Sequence, residues 1–148
     1  MTIHKRHLLL TGASAFAFAI AGPAGVAAAE PQTMSAPEAL DAAASGDVVL
    51  VDIRSREEWQ ETGLAEPALP ISMHEGGFVQ KLLQAMGGDP GRRVALICAT
   101  GGRTRYVQNV LASNGFSNVI DVSEGMMGSP AGPGWLKRGL PVKRWPAQ

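Results

Sequence analysis

The chain has 148 residues, with 13 basic and 13 acidic side chains, a formal net charge of zero and a single cysteine, Cys98. That length suits one domain with one core. Balanced charge without a basic run argues against a nucleic-acid partner, and one cysteine rules out an internal disulfide.

The first segment is read as a targeting signal. Lys5, Arg6 and the neighbouring histidines make a basic start, and Leu8 to Ile20 is apolar and small, broken only by Thr11, Gly12 and Ser14. Gly22, Pro23 and Gly25 then break any helix, and Ala27-Ala28-Ala29 offers a small-x-small cleavage site before Glu30. This order predicts a signal peptide over residues 1–29, cleaved near Ala29, and a periplasmic or secreted protein. The apolar run is shorter than the ~20 residues of a spanning helix, so no stable membrane span is expected after cleavage. No cysteine lies near the site to carry a lipid. Lys5-Arg6 before three leucines resembles a twin-arginine signal without its first arginine, which leaves the export route open. Cleavage leaves 148 − 29 = 119 residues, and removing two basic side chains changes the net charge to 11 − 13 = −2. Only Cys98 and His74 remain as soft metal ligands, with no pair at zinc spacing, so no metal is expected.

Glu30 to Met34 reads as a short linker. Ser35-Ala36-Pro37-Glu38 is a capping box with an early proline, opening a short alanine-rich helix, Ala39 to Ala44, that stops at Gly46. Val48 to Val51 is a continuous apolar run leading into Asp52-Ile53-Arg54, the pattern of a strand buried on both faces. Ser55 and Glu58 form a second capping box, starting a helix that passes Trp59 and ends at Gly63. Pro67 and Pro70 bracket a turn, with a short strand expected within Leu69 to Met73. Phe78, Val79, Leu82, Leu83 and Met86 fall at helical spacing. Asp89-Pro90-Gly91 is a turn. Val94 to Ile97 is a buried strand ending at Cys98, and Val107, Val110 and Leu111 mark a helix running to about Ser113. Asn114-Gly115 stops it, and Asn118 to Val122 is a last strand. Gly125 to Gly134 reads as a loop, and Trp135 to Leu140 as a closing turn. Strands alternating with helices imply an α/β fold with a mainly parallel sheet. Ligands in such folds gather at the carboxyl ends of the strands.

Cys98 stands at such an end, where a strand passes through a glycine-containing loop into a helix N-terminus. The first helix amides have no intrahelical partners and carry partial positive charge. Glycines let a loop turn its amides inward around an anion, and Arg103 and Arg105 add formal charge. All of these favour a thiolate, which is the nucleophilic form of cysteine. The alternative is that Cys98 is simply a small buried hydrophobe, as a lone cysteine after an apolar strand often is. The loop and its arginines weigh against that. His74 is the sole candidate for the base of a cysteine–histidine pair.

Cys98-Ala99-Thr100-Gly101-Gly102-Arg103-Thr104 resembles the active loop of the rhodanese family, Cys-x-x-Gly-x-Arg-Ser/Thr. Leu50-Val51-Asp52-Ile53-Arg54 with Glu57-Glu58-Trp59 and Gly63 is similar to that family's first motif. Gly115-Phe116-Ser117-Asn118-Val119 with Glu124-Gly125 is similar to its last strand and turn, and Gly134-Trp135 with Gly139 to Val142 to its ending. The resemblance spans about Ser35 to Val142, within a domain expected over residues 30–148. Two departures stand out: Leu64 follows Gly63 where the family often has His, and residues 126–133 exceed the family's minimal turn.

The resemblance implies a central, mainly parallel sheet flanked by helices, and a sulfurtransferase without a cofactor. A donor such as thiosulfate would give its outer sulfur to Cys98. A nucleophilic acceptor, cyanide or a thiol or a protein, would then remove it. Cys98 is implied as the nucleophile, and Ala99, Thr100, Gly101, Gly102, Arg103 and Thr104 as the cradle of the persulfide. Arg103 would hold the loop or meet substrate. Asp52 and Arg54 would buttress the site, with Arg54 a further attraction for an anionic donor. Protein tyrosine phosphatases carry five residues between Cys and Arg where this chain has four, and a smaller ring of amides suits one sulfur better than a phosphate. A persulfide carrier or sulfur- or redox-sensing module that works only with a partner is the other reading.

Overall fold

The computed structural model describes residues 30–146; the signal peptide expected over residues 1–29 lies outside the described residues. Seven strands and four helices follow in chain order: β1 Gln32–Met34, α1 Ala36–Ala44, β2 Val49–Asp52, α2 Arg56–Thr62, β3 Leu64–Ala65, β4 Leu69–Pro70, α3 Phe78–Ala85, β5 Val94–Ile97, α4 Gly102–Ala112, β6 Val119–Val122 and β7 Val142–Lys143. Five form one sheet in the order β1-β6-β5-β2-β4, with every pair parallel. Strands β3 and β7 make a small antiparallel pair apart from it.

Both faces of the sheet are covered, which is why its central strands are apolar without interruption. Side chains alternate between faces along a strand. Ala95 and Ile97 of β5 therefore join Ala36, Ala39, Ile120, Val122, Met126 and Trp135 on one side. Val94 and Leu96 join Leu82, Met86, Val107, Leu111 and Phe116 on the other, and Cys98 lies with this second group. Each such Leu, Val or Ile contributes roughly 1.5–3 kcal/mol by leaving water.

Both capping boxes form as their sequences suggest. Ser35 and Glu38 cap each other's backbone at the start of α1, and Ser55 and Glu58 do so at the start of α2. Removing such a cap typically costs ~1 kcal/mol. Helix α4 runs from Gly102 to Ala112, beginning five residues ahead of Val107, the first of its apolar markers.

One expectation is corrected. Glu30 to Met34 is not a linker throughout: Gln32–Met34 is the edge strand β1, registered against Ile120–Val122 of β6. Gln32 and Thr33 are polar, and Met34, which packs against one core cluster, is too little to give a strand period by itself. What recruits them is the unpaired edge of β6, together with the Gln108 side chain, which donates to the Gln32 carbonyl at 2.7 Å. The small β3–β7 pair was equally invisible, since two-residue strands have no readable period.

Candidate active site

Asp52 and Ile97 are register partners on adjacent strands β2 and β5. The residues just beyond them, and Ser123 beyond β6, therefore meet at one carboxyl edge of the sheet. Cys98 is fully buried there. Its backbone is pinned from the far side: the Met126 amide donates to the Cys98 carbonyl and the Met127 amide to the Ala99 carbonyl, both at 2.8 Å. The long segment 126–133 thus begins by holding the cysteine loop. Its later residues Ser129, Pro130 and Ala131 wall a cleft of about 360 Å³ whose other side includes Thr100 and Arg105.

The Gly101 amide donates to Cys98 Sγ at 3.2 Å. Gly101 is also the N-cap of α4, with φ 84° and no side-chain capping bond. An added Cβ there would lie 2.4 Å from the Ser123 carbonyl oxygen, so both the turn and its closeness to β6 require glycine. The first amides of α4, from Gly102 to Thr104, therefore face the loop without a capping side chain, leaving the partial positive end of an eleven-residue helix beside the sulfur. Of the expected cradle, Gly101 is the member whose amide already reaches Sγ. Thr104 adds its hydroxyl, with Oγ1 3.6 Å from Sγ. The same hydroxyl lies 2.9 Å from the Gly101 carbonyl and hydrogen-bonds Asp121 Oδ1. Burial pushes the Asp121 carboxyl above the usual carboxylate range, against the opposing bond from Thr104.

Arg103 points elsewhere. Its two terminal nitrogens grip the two oxygens of Glu58 at 2.8 and 2.6 Å, and Nη1 lies 3.4 Å from His74 Nε2. The Arg103 guanidinium, opposed only by partial burial, holds the Glu58 carboxyl down at about 2. The Glu58 bond in turn raises Arg103 further. Arg103 therefore ties α4 to the N-terminus of α2.

Asp52 and Arg54 form a buried pair, 0 and 1 % exposed, with Arg54 Nη2 2.7 Å from Asp52 Oδ2. Arg54 also donates to Thr62 Oγ1 and the Gly63 carbonyl, each at 2.8 Å. It closes the C-terminal end of α2 rather than presenting charge to solvent. His74 is exposed and meets Arg103, not Cys98.

Three residues that hold the site together have no role in it in the sequence reading. Glu58 reads as a capping residue and a member of the first motif, and its carboxylate also accepts from Arg103 across 45 residues. Asp121 looked like an ordinary strand residue. Glu124, 1 % exposed, accepts from the Ala36 and Gly134 amides at 2.9 Å and from Arg138 at 2.8 Å. Burial would raise its carboxyl, but these three bonds outweigh it and hold the group below the usual range. Within the described residues no cluster of His, Cys, Asp and Glu suited to a metal ion occurs, and no helix is long and apolar enough to cross a membrane.

This arrangement has known relatives. The chain is 27 % identical over 117 residues to an uncharacterised protein of Rickettsia rickettsii, covering 74 % of this chain and 95 % of that one. Its fold is similar to the polysulfide-sulfur transferase of Wolinella succinogenes, with a TM-score of 0.61, 23 % identity, and coverage of 80 % of this chain and 82 % of that one. It is also similar to a thiosulfate sulfurtransferase from Pseudomonas aeruginosa, with a TM-score of 0.59 and 20 % identity, covering 77 % of this chain and 20 % of that one. At those identities the two structures speak for the fold alone. The model of the rhodanese-like domain matches residues 35–129, and with Cys98 and its loop in place the chain belongs to the rhodanese-like domain family.

Proposed function

We propose that this protein transfers sulfane sulfur through a persulfide on Cys98. One observation carries the reading: Cys98 Sγ accepts the Gly101 amide directly ahead of a helix N-terminus with no capping side chain. The Cys98 thiolate attacks the outer sulfur of a donor such as thiosulfate. A Cys98 S–S bond forms, the donor's S–S bond breaks, and sulfite leaves with the electron pair. The terminal sulfur then carries the negative charge, which the loop amides and the helix end stabilise. A nucleophilic acceptor, cyanide or a thiol, takes that sulfur, and the Cys98 thiolate leaves. Ala99, Thr100, Gly101, Gly102, Arg103 and Thr104 form the cradle, with Arg103 acting by holding α4 to Glu58. Asp52 and Arg54 support it from below.

The committed position of Arg103 speaks against a phosphatase, whose arginine must meet the oxyanion. The full burial of Cys98 favours a second reading, a carrier that releases its sulfur only to a docked protein acceptor. Thiosulfate and cyanide turnover by wild type and C98S tests the first. Catalytic turnover by wild type, none by folded C98S, and one added sulfur atom on Cys98 by mass spectrometry are expected. Comparable turnover in C98S would overturn the mechanism. A stable persulfide without turnover would favour the carrier. Residues 1–29 support export as the setting for either.

A further inference from the structure

Three carboxylates are buried among the described residues, and two of them are neutralised: Asp52 by Arg54 and Glu124 by Arg138. Asp121 is 1 % exposed, forms no ion pair among the described residues, and leaves Oδ2 without any hydrogen-bond partner. A buried carboxylate in that state is costly, and the usual remedy is a proton. The hydrogen-bonded chain Asp121 Oδ1, Thr104 Oγ1, Cys98 Sγ leads from it to the only thiol of the protein, with Thr104 itself fully buried.

The hydroxyl of Thr104 has one proton to give and lone pairs to accept with. When Asp121 is a carboxylate, Thr104 donates to it and accepts from the Cys98 thiol. When Asp121 is a carboxylic acid, it donates to Thr104, and Thr104 turns its one proton away from the Gly101 carbonyl, 2.9 Å off, to the Cys98 thiolate. The two arrangements carry the same charge and differ only in where one proton sits. We propose that Asp121 is a positioning residue for sulfur transfer, holding the Cys98 proton through Thr104 so that the three side chains share one proton and one negative charge. This rests on the persulfide reading above.

The step balances without any added reactant. The S–H bond of Cys98 breaks, its proton passes to Thr104 Oγ1, and the Thr104 proton passes to Asp121 Oδ1. A thiol and a carboxylate become a thiolate and an acid. The thiolate then attacks the donor sulfur, and the proton stays on Asp121. When the acceptor removes the sulfur, the proton is at hand for the returning thiolate. Other charged groups near this unit are Arg105 and Arg103 from α4 and Asp52 from β2. Arg103 is bound to Glu58 and Asp52 to Arg54, and β1 offers Asp121 only the neutral Thr33 in register.

Two coupled groups lose their protons in two steps that belong to the pair. Thiolate absorbance in the ultraviolet, measured against pH with C98S as the blank, reads those steps without needing a donor or an accessible sulfur. Wild type is expected to rise in two steps with a shoulder between them. D121N is expected to lose the lower step, leaving one. T104V keeps the carboxylate but removes the link, and should also show one step, while T104S restores two. A single step in wild type, or two steps in folded D121N or T104V, would overturn the proposal. Thiosulfate turnover measured on the same samples separates the two readings. Two steps without turnover would retain the shared proton and reject transfer between free small molecules, whereas turnover with one step in wild type would retain that transfer and overturn the shared proton.

Discussion

Glu58 grips Arg103 through both carboxylate oxygens, at 2.6 and 2.8 Å, while Oε2 also accepts the Ser55 amide at 3.0 Å. One side chain therefore caps α2 and ties it to the helix that follows the Cys98 loop. A carboxyl held at about 2 against an ordinary 4.5 contributes stability that is present above pH 4.5. That contribution is lost as pH falls from 4.5 through about 2. With both partners nearly a third exposed, solvent limits its size to about 1 kcal/mol. E58Q should be less stable than wild type by that amount at pH 7, and the gap should close towards pH 2. Urea midpoints across that range measure it; a gap independent of pH would refute the assignment.

Gly101 and Gly102 should respond oppositely to alanine. At Gly101 the new Cβ meets the Ser123 carbonyl oxygen at 2.4 Å in a left-handed backbone, whereas at Gly102 nothing lies within 4 Å. G101A is expected to destabilise the fold by more than ~1 kcal/mol and to depress sulfur transfer by displacing the amide that reaches Sγ. G102A is expected to stabilise the first turn of α4 by roughly 0.5 kcal/mol. Thermal unfolding of both variants decides this, and equal shifts of the same sign would contradict the loop geometry.

Glu124 joins the start of α1 to the segment that holds the cysteine loop. E124A leaves the Ala36 and Gly134 amides and Arg138 without their acceptor. Hydrogen bonds to a charged group are worth ~1.5–3 kcal/mol each, not additively, so a loss of about 3 kcal/mol is expected. Turnover should fall as well, because Met126 and Met127 anchor the Cys98 and Ala99 carbonyls. Denaturant titration and thiosulfate turnover of the purified variant would show both, and full activity with unchanged stability would refute it.

Loop size can be tested by inserting one glycine between Gly101 and Gly102. Cys98, Arg103 and the helix remain, but the amides are misaimed. Loss of one such donor costs ~2.7–4 kcal/mol of transition-state stabilisation, about 10²–10³ in rate. Sulfur transfer should fall by that order in a variant whose circular dichroism is unchanged, and phosphate or arsenate affinity should rise. A folded insertion variant as fast as wild type would remove loop size as the ground for separating this loop from a phosphatase loop.

The order of basic, apolar and small residues before Glu30 predicts an exported protein whose chain starts at or near Glu30. N-terminal sequencing of the protein from the periplasm or medium checks it. Intact Met1 on membrane-bound protein would favour an anchor instead.

Much of the fold could be read from short-range pattern. The two Ser-x-x-Glu boxes, the apolar runs at Val48–Val51 and Val94–Ile97, and the helical spacing from Phe78 to Met86 each express a rule acting within a turn or a pleat. So does the passage from strand to glycine loop to helix that singled out Cys98. What lay beyond reach depends on partners far apart in the chain. Gln32–Met34 becomes a strand only because β6, about ninety residues later (on the 3.3 Å-per-residue scale of a strand, far outside any local period), presents an open edge. Arg103 looked equally fit to meet a substrate or to hold the loop. Packing α4 on β5 and β6 brings its first turn within reach of Glu58. Asp121 carries no signal in its own strand, and acquires one only when β6 and α4 place it on the Thr104 hydroxyl that touches Cys98. Amino-acid order singled out Cys98 as the candidate nucleophile and determined the elements around it. Tertiary packing alone decided which charges neutralise one another and which buried carboxylate was left beside the thiol, because burial and hydrogen-bond distance are properties of the assembled sheet and not of any stretch of sequence.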